Sequence, residues 1–441
     1  MKRLILEKLV KWKNSKHRKP LVLKGARQVG KTYILNIFGK EEFSQTHYFN
    51  FEESPKLSQV FIPDLDPKRI ISELALIKGR EIKVGSDLVI FDEVQDCPQA
   101  LTSLKYFCEK LPELHLVCAS SHMGILFLEN SFPVGKVEEL QLYPMNYEEF
   151  LLNCHPKSWE VFQKSKETLS LSPFEHEILW NHLREFYIVG GMPEAVKLFL
   201  ENRDYQLCRK YQLNLVGQYL NDFHKHSGKT NALHIMEVFK NIPKQLSMSR
   251  DLTTLKYIFK DVIKGKNSYN GLAGPIEWLS SSSLAHKVSI AHKAEIPLSS
   301  FSKPNIFKLF LFDIGILGAM LDLDLNSLLD QNYGMIKGFF AENFVALELL
   351  SSGEKNLISW NENQAEVEFL LSGPKGIVPL EVKSGKLTKA KSLSSYISRY
   401  HPKLTIKASA LNFNINDQNA VQNIPLYSVA YAPRKLMERH S

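Results

Sequence analysis

A glycine-rich segment near the start of the chain has the residue types of a phosphate-binding loop. It matches the pattern GxxxxGK[ST] in full, with the residues Gly25-Ala26-Arg27-Gln28-Val29-Gly30-Lys31-Thr32. Glycines allow such a loop to curl so that consecutive backbone N–H groups point at phosphate oxygens. Lys31 adds a charge for the β- and γ-phosphates, and Thr32 offers a hydroxyl group to Mg²⁺. The segment therefore predicts a site for the phosphates of a nucleotide, with Mg²⁺ beside them.

Two acidic residues follow an apolar strand further along the chain. The segment 88–91 is uniformly apolar and leads into Asp92 and Glu93. Open α/β sheets bind ligands outside the carboxyl ends of their strands. We therefore expect Asp92 to hold the water shell of Mg²⁺ and Glu93 to polarise an attacking water as a general base. The alternative is an ordinary strand end with two solvated acids, and the phosphate loop upstream favours the catalytic interpretation.

A third strand ends in polar residues that could also face the phosphates. The segment 119–122 is Ala-Ser-Ser-His, and in nucleotidases with an additional central strand a polar residue at this place contacts the γ-phosphate or the attacking water. Ser121 is the first choice for that role and Ser120 the second, while a serine that only forms a turn is the alternative. Lys136 could reach a phosphate or be an ordinary surface lysine.

These side chains need a parallel sheet to bring them together. The sequence predicts strands at 20–24, 47–53, 87–91 and 114–120, which alternate with predicted helices at 25–38, 65–80 and 99–111. Strands that alternate with helices indicate an α/β fold with a parallel sheet and helices on both faces. After residue 145 helical periodicity dominates, and strand patterns return from residue 356.

The same patterns divide the chain into four predicted domains. Residues 1–150 are expected to form an α/β domain with the P-loop and residues 151–230 a helical lid or linker. Residues 231–300 combine helical stretches with the alternating segment AHKVSIAHK, an order that resembles a small winged-helix module. Residues 301–441 are expected to form a nuclease-like α/β domain of the PD-(D/E)xK type.

The last prediction depends on four residues near the end of the chain. Glu381-Val382-Lys383 has the ExK spacing, and residues two apart on a strand share one face. An acid from a neighbouring strand, Glu368, could complete an Mg²⁺ site, and Lys383 could stabilise developing negative charge. Glu342 on the preceding helix matches the additional acid of this nuclease fold. Nucleases generally have Asp where this chain has Glu368, so an inactive interaction module is the alternative.

Charge is concentrated in two places. The 441 residues carry a net charge of +8. Residues 1–20 hold eight basic residues and one acid, and residues 375–407 have the same balance. The rest of the chain is slightly acidic, which excludes a uniformly basic protein of the histone or ribosomal kind and restricts any nucleic-acid contact to local patches. DNA is the favoured nucleic acid, and a protein partner is the alternative.

Composition indicates where the protein works. No segment approaches the roughly 18 apolar residues that a spanning helix needs, so no membrane association is predicted. Five cysteines form no CxxC pair, which is typical of a protein in the reduced cytoplasm. The oligomeric state stays open.

The motifs together resemble a prokaryotic family of AAA-type ATPases. The resemblance is carried by the segments GARQVGKT, FDEVQDCP, FPVGKVEELQLYPMNYEEFL, YIVGGMPEAV, FKLFLFDIGIL, KGFFAENFVALEL and PLEVKSG, which span nearly the whole chain. The resemblance implies that residues 1–150 form a P-loop AAA-like ATPase domain that binds and hydrolyses ATP with Mg²⁺. It also implies a winged-helix linker and a restriction-endonuclease-like end. The main hypothesis is an ATPase that switches a DNA- or protein-binding nuclease-like domain. An ATP-gated, metal-dependent nuclease and a non-catalytic, nucleotide-dependent adaptor are the alternatives.

Overall fold

The computed structural model describes residues 1–120, 133–226, 229–248, 256–330, 334, 336–362, 365–386, 391–416 and 418–439. The chain forms two compact units. The N-terminal unit comprises Lys2–Tyr143 with Ser281–Ser283, and the C-terminal unit comprises Pro144–Ser280 and Leu284–Ser441 together with Met1.

The N-terminal unit is an α/β fold with a five-stranded sheet. Its strands are β1 (Leu21–Lys24), β2 (Thr46–Asn50), β3 (Leu88–Asp92), β4 (His115–Ser120) and β5 (Glu138–Gln141). They lie in the order β2-β3-β4-β1-β5, and every neighbouring pair is parallel. Its helices are α1 (Ile5–Lys13), α2 (Lys31–Glu42), α3 (Pro67–Lys78) and α4 (Pro98–Lys110). Strands β3 and β4 are buried along their whole length, as expected for strands covered on both faces. The parallel α/β sheet predicted from the sequence is confirmed.

Aromatic packing fixes the end of β3. The ring of Phe91 lies edge-on to four others, with centroid distances of 6.2 Å to Phe49, 5.6 Å to Phe51, 5.8 Å to Phe61 and 6.3 Å to Phe107. Edge-to-face pairs of this kind add stabilisation beyond the burial of their surface. Because Phe91 directly precedes Asp92, this packing holds the polar end of the strand in place.

The C-terminal unit begins with a helical region. It contains α5 (Tyr147–Cys154), α6 (Pro156–Thr168), α7 (Pro173–Val189), α8 (Pro193–Asn202), α9 (Tyr205–His226), α10 (Lys229–Met248) and α11 (Tyr269–Ser281). Capping boxes define the starts of two of these helices. Asn146 and Glu149 cap α5, and Ser172 and Glu175 cap α7. Each box satisfies backbone N–H groups that have no partner inside the helix.

The rest of this unit is a mixed seven-stranded sheet with further helices. The strands are β6 (Ala285–Ala291), β7 (Ser302–Leu311), β8 (Ile358–Glu362), β9 (Ala365–Gly373), β10 (Gly376–Val382), β11 (Thr405–Ser409) and β12 (Val421–Pro425). The helices are α12 (Ile314–Met320), α13 (Leu325–Leu329), α14 (Ile336–Ser352), α15 (Lys391–Tyr400) and α16 (Ala432–Arg439). The strand order is β12-β11-β10-β9-β8-β6-β7.

The sheet continues across the predicted boundary at residue 300. Strand β6 pairs antiparallel with β7 and parallel with β8, so the segment predicted as a winged-helix module contributes a strand to the C-terminal sheet. The division into four domains and the winged-helix assignment stay predictions. Within the ranges given above, no helix has both the length and the apolar character needed to span a bilayer.

Candidate functional site

The predicted phosphate loop connects β1 to α2 in the N-terminal unit. Gln28 and Gly30 adopt left-handed backbone angles, with φ of 62° and 92°. A Cβ atom on Gly25 would lie 2.3 Å from the carbonyl oxygen of Leu142, so only glycine fits there. The N–H of Leu142 in turn donates to the carbonyl oxygen of Lys24 across 2.8 Å. The close approach of these two backbone segments fixes where the loop begins.

Lys31 is buried at the start of α2. Its ammonium group donates to the carbonyl oxygens of Gly25 and Ala26, each at 2.9 Å, so it lies within its own loop. Burial lowers the pKa of Lys31 to about 8, although the carboxylates of Glu93 and Asp92 oppose this shift. A phosphate chain would restore full charge to this ammonium, because it supplies negative charge where the free loop offers only carbonyl dipoles.

Asp92 and Thr32 come together as predicted. The Thr32 hydroxyl donates to Asp92 Oδ2 over 2.6 Å, and the N–H of Glu93 donates to Asp92 Oδ1 over 2.9 Å. Tyr48 on the neighbouring strand β2 also donates its hydroxyl to Asp92 Oδ2, at 2.7 Å. Burial and the bond to Asp92 raise the pKa of Tyr48, which keeps its hydroxyl protonated as a donor. No sequence motif indicated Tyr48.

Glu93 is held by a short chain of polar side chains. The Gln95 amide donates to Glu93 Oε2 at 2.5 Å, and the Ser120 hydroxyl donates to Gln95 Oε1 at 2.6 Å. Glu93 itself has a left-handed φ of 48°. Ser120, the second choice for a γ-phosphate contact, is thus connected to the expected general base through Gln95. Ser121, the first choice, lies outside the described residues.

Three basic residues of the N-terminal unit have structural partners, and of these only Arg3 contacts the phosphate loop. The buried Arg3 guanidinium donates to the carbonyl oxygens of Val29 at 2.9 Å and Tyr143 at 2.7 Å. It therefore connects the phosphate loop to the segment at Tyr143. Lys136 Nζ lies 2.9 Å from Glu109 Oε1 in an exposed ion pair. Arg18 donates to backbone carbonyls that include Glu113. Arg3 and Arg18, two of the basic residues in segment 1–20, therefore bind other parts of the same protein.

The residues present fit Mg²⁺ and a nucleotide. Thr32 Oγ1 and Asp92 Oδ2 place two hard oxygen atoms 2.6 Å apart, which is the ligand type that Mg²⁺ prefers. The loop glycines have no side chains that would cover the backbone N–H groups, and Lys31 supplies positive charge for the phosphates. These are the expected contributions of Gly25, Gly30, Lys31, Thr32 and Asp92 to such a site.

A second group of charges lies in the C-terminal unit, around Lys308 of β7. Lys308 Nζ donates to Glu342 Oε2 at 2.8 Å and forms an ion pair with Glu366 Oε1. Burial alone would lower the pKa of Lys308, but the two carboxylates raise it above its ordinary value. Burial likewise raises the pKa of Glu366, although Lys308 opposes this. Glu342 was predicted from the sequence, whereas no motif indicated Lys308 or Glu366.

Glu368, Glu381 and Lys383 also meet, as their spacing predicted. Lys383 Nζ lies 3.6 Å from Glu368 Oε1 and forms an ion pair with Glu381 Oε1. The N–H of Val382 donates to Glu368 Oε2 at 2.9 Å. Burial and the charge of Glu381 raise the pKa of Glu368 well above its ordinary value. The oxygens of Glu342, Glu368 and Glu381 do not all lie within 4.8 Å of one another, so they do not form a compact three-oxygen cation site.

One family match covers the segment that contains the N-terminal site. Residues 17–151 match a family described as an AAA domain. Residues 17–151 form an AAA-type P-loop ATPase domain. Residues 181–327 and 337–427 match two families that are described only as domains of unknown function.

Three of the solved structures that match this chain do so at low sequence identity and with TM-scores below 0.5. A Walker-type ATPase of Pyrococcus abyssi is 15% identical with a TM-score of 0.44, over 73% of this chain and 95% of that one. The Aeropyrum pernix ORC1 protein in complex with DNA is 12% identical with a TM-score of 0.30, over 74% and 92%. AMPPCP-bound DnaA from Aquifex aeolicus is 14% identical with a TM-score of 0.25, over 55% and 78%. No curated protein matches this chain.

Proposed function

We propose that the AAA-type domain binds Mg-ATP and hydrolyses it, and that the nucleotide state switches a DNA- or protein-binding, nuclease-like C-terminal part. The observation that carries the ATPase proposal is the meeting of Thr32 and Asp92 beside a glycine loop that buries Lys31. Within the described part of the chain, the Lys31 ammonium contacts carbonyl oxygens and forms no ion pair, so its charge is available to an anionic ligand.

Each residue of the site has a proposed task. Mg²⁺ would neutralise charge on the β- and γ-phosphates when it is bound. Lys31 would exchange the carbonyl oxygens of its own loop for phosphate oxygens. Asp92 would orient the water shell of the metal, and Tyr48 would hold the Asp92 carboxylate in place. Glu93 would accept a proton from the attacking water, with Gln95 fixing the direction of its carboxylate.

The direct test is ATP binding and turnover by the full chain with Lys31→Ala. We expect loss of binding or of turnover. Lys40→Ala is the matched control, because Lys40 is an exposed lysine on the same helix. Unchanged ATP hydrolysis in Lys31→Ala would refute the proposal. ATP binding without any turnover in the wild type would favour the nucleotide-dependent adaptor.

The switching part of the proposal needs a separate measurement. We expect DNA or a protein partner to change the ATPase rate of the wild type. If DNA is the partner, the stimulation should weaken with salt, because lysine and arginine contacts to phosphates release counterions. The exposed basic residues Lys8, Lys11 and Lys16 and the basic segment 375–407 are the proposed contacts. An ATPase rate that no nucleic acid or protein alters would count against switching.

A metal-dependent nuclease is the second candidate. The observation in its favour is that Glu381 Oε2 is buried and has no hydrogen-bond partner among the residues described, as an atom awaiting a cation would. Lys308 and Lys383 already neutralise carboxylates of this cluster. Their charges favour the alternative, a nuclease-like domain without cleavage activity. Plasmid DNA is incubated with the wild type or with Glu381→Ala in the presence of Mg²⁺ or Mn²⁺. The result decides between an active nuclease and an inactive nuclease-like domain. Cleavage by the wild type alone would support the nuclease.

A further inference from the structure

A group of three metal-ligand side chains lies in the helical region of the C-terminal unit. His155 sits between α5 and α6, and His182 and Glu185 lie on α7. One ligand atom from each lies within 4.8 Å of the others, and no other such group occurs among the residues that the structure describes. None of these residues has a role in the proposed ATPase.

The distances converge on one carboxylate oxygen. His155 Nε2 and His182 Nδ1 each lie 2.9 Å from Glu185 Oε2. Residues three apart on a helix share a face, which is why His182 and Glu185 point the same way. The side chains are 16% to 23% exposed, so they are largely shielded from solvent but still reachable.

Hydrogen bonding accounts for only part of the arrangement. His182 Nδ1 is hydrogen-bonded to Glu185 Oε2, whereas the buried His155 Nε2 lies 2.9 Å from the same oxygen without the geometry of a hydrogen bond within the described part of the chain. The two imidazole rings are stacked, with centroids 3.7 Å apart and planes 24° from parallel. One nitrogen of each stacked ring therefore lies beside Glu185 Oε2, which brings three possible metal-ligand atoms together.

Partners around the three residues would orient them as ligands. The Ser158 hydroxyl lies 3.0 Å from His182 Nε2, on the side of the ring away from Glu185. The Tyr205 hydroxyl donates to Glu185 Oε1 at 3.1 Å, which leaves Oε2 for a metal. The rings of Phe150 and Phe199 lie 5.6 Å and 6.4 Å from His155 and give the group an apolar wall. Supporting contacts of this kind fix the tautomer and direction of metal-binding histidines.

We propose that His155, His182 and Glu185 bind Zn²⁺. Two imidazole nitrogens and one carboxylate oxygen form a donor set that suits zinc, and three protein ligands leave a fourth position for water or for an outside ligand. On binding, His155 Nε2 and His182 Nδ1 donate their lone pairs to the metal. The remaining proton of His182 then resides on Nε2 and is donated to the Ser158 hydroxyl, and any proton that a histidine carried on its metal-facing nitrogen is released to solvent.

The test is zinc binding by the full-length protein. Equilibrium dialysis against Zn²⁺ buffered by a competing chelator, followed by elemental analysis, gives the metal bound per chain. We expect one tightly bound zinc in the wild type and none in His182→Ala or Glu185→Gln. His17→Ala is the control for adventitious binding, because His17 is an exposed histidine of the N-terminal unit, and it should keep the wild-type zinc.

Two further measurements test the zinc site. Co²⁺ should give the strong visible absorption of a four-coordinate site in the wild type, and Glu185→Gln should lose it while keeping the wild-type circular dichroism. Ser158→Ala should weaken zinc binding by roughly tenfold to a hundredfold, the usual effect of removing a supporting contact. Equal zinc binding by the wild type and His182→Ala, or no tight zinc in the wild type, would overturn the proposal and leave a plain ion pair.

Discussion

Glu348 offers a sharp test of how the C-terminal unit is held together. This residue of α14 is only 2% exposed. Its Oε1 accepts a hydrogen bond from the N–H of Tyr147 at 2.8 Å, and its Oε2 is buried with no hydrogen-bond partner among the described residues. Burial raises the pKa of Glu348 from 4.5 to about 8; the charges of Glu148 and Glu149 add to this, and Lys166 opposes it. The folded protein therefore prefers the protonated carboxyl group.

The direction of the pH dependence follows from the raised pKa. Between pH 4.5 and pH 8 the folded state binds a proton that the unfolded state has lost. Stability from this group is therefore fully present below pH 4.5 and is lost as the pH rises towards 8. At about 1.4 kcal/mol per pH unit, the free energy of unfolding should fall by about 4 kcal/mol between pH 5 and pH 9.

Glu348→Gln should remove this dependence. The glutamine can still accept the hydrogen bond from Tyr147, and its amide resembles a protonated carboxyl group in shape and charge. We expect the variant to gain about 4 kcal/mol relative to the wild type as the pH rises from 5 to 9. Urea unfolding of the full chain at several pH values, followed by tryptophan fluorescence, measures the difference. Glu160→Gln, at an exposed position, should track the wild type. A difference between Glu348→Gln and the wild type that stays constant from pH 5 to pH 9 would refute the reasoning.

Three more predictions concern the ATPase site. Because the pKa of Lys31 is about 8 in the free protein and phosphates favour its charged form, the dissociation constant for ATP should rise up to tenfold per pH unit above pH 8; a flat profile from pH 7 to 9.5 would contradict this. Tyr48→Phe removes a bond to a carboxylate and should lower the free energy of unfolding by about 1.5 to 3 kcal/mol in a thermal melt; an unchanged melt together with unchanged ATP turnover would argue against the contact. Gly25→Ala should abolish ATP binding measured by calorimetry, because its Cβ would lie 2.3 Å from a carbonyl oxygen, whereas Gly217→Ala, which has open space, should bind normally.

The sequence best predicted those residues whose chemistry requires a fixed order of strand, loop and helix along the chain. The phosphate loop must follow a buried strand and begin a helix, so its place in the fold could be predicted from motif and pattern together. Asp92 follows from the same logic, because an apolar strand delivers it to the edge of the sheet. The predicted strands at 87–91 and 114–120 lie within one residue of β3 and β4 at each end.

Residues that depend on pairing between distant strands could not be predicted. Tyr48 reaches Asp92 only because β2 lies beside β3 in parallel, with Asn50 opposite Asp92, and no local pattern in β2 reveals that register. Strand β5 is polar and short, so it lacks the apolar run that marks a strand.

The charged residues around Lys308 and Lys383 show the same limit of prediction from the sequence. Glu381 and Lys383 are two residues apart, and their shared face follows from the alternation of a strand. Lys308 is on β7, at the far edge of the sheet from β10 and well away in sequence, yet it pairs with Glu342 and Glu366. The sequence could therefore predict that Glu381 and Lys383 share a face, and it could not predict that Lys308 would pair with Glu342 and Glu366.

The most direct test of the ATPase account is the turnover of Glu93→Gln, measured beside its ATP affinity. The account predicts nearly normal binding of Mg-ATP, because Lys31, Thr32 and the loop are intact, with hydrolysis slowed by about 10² to 10⁴ through loss of the general base. Glu41→Gln, at an exposed position in the same domain, should hydrolyse ATP at the wild-type rate. ATP hydrolysis by Glu93→Gln at the wild-type rate would contradict the account.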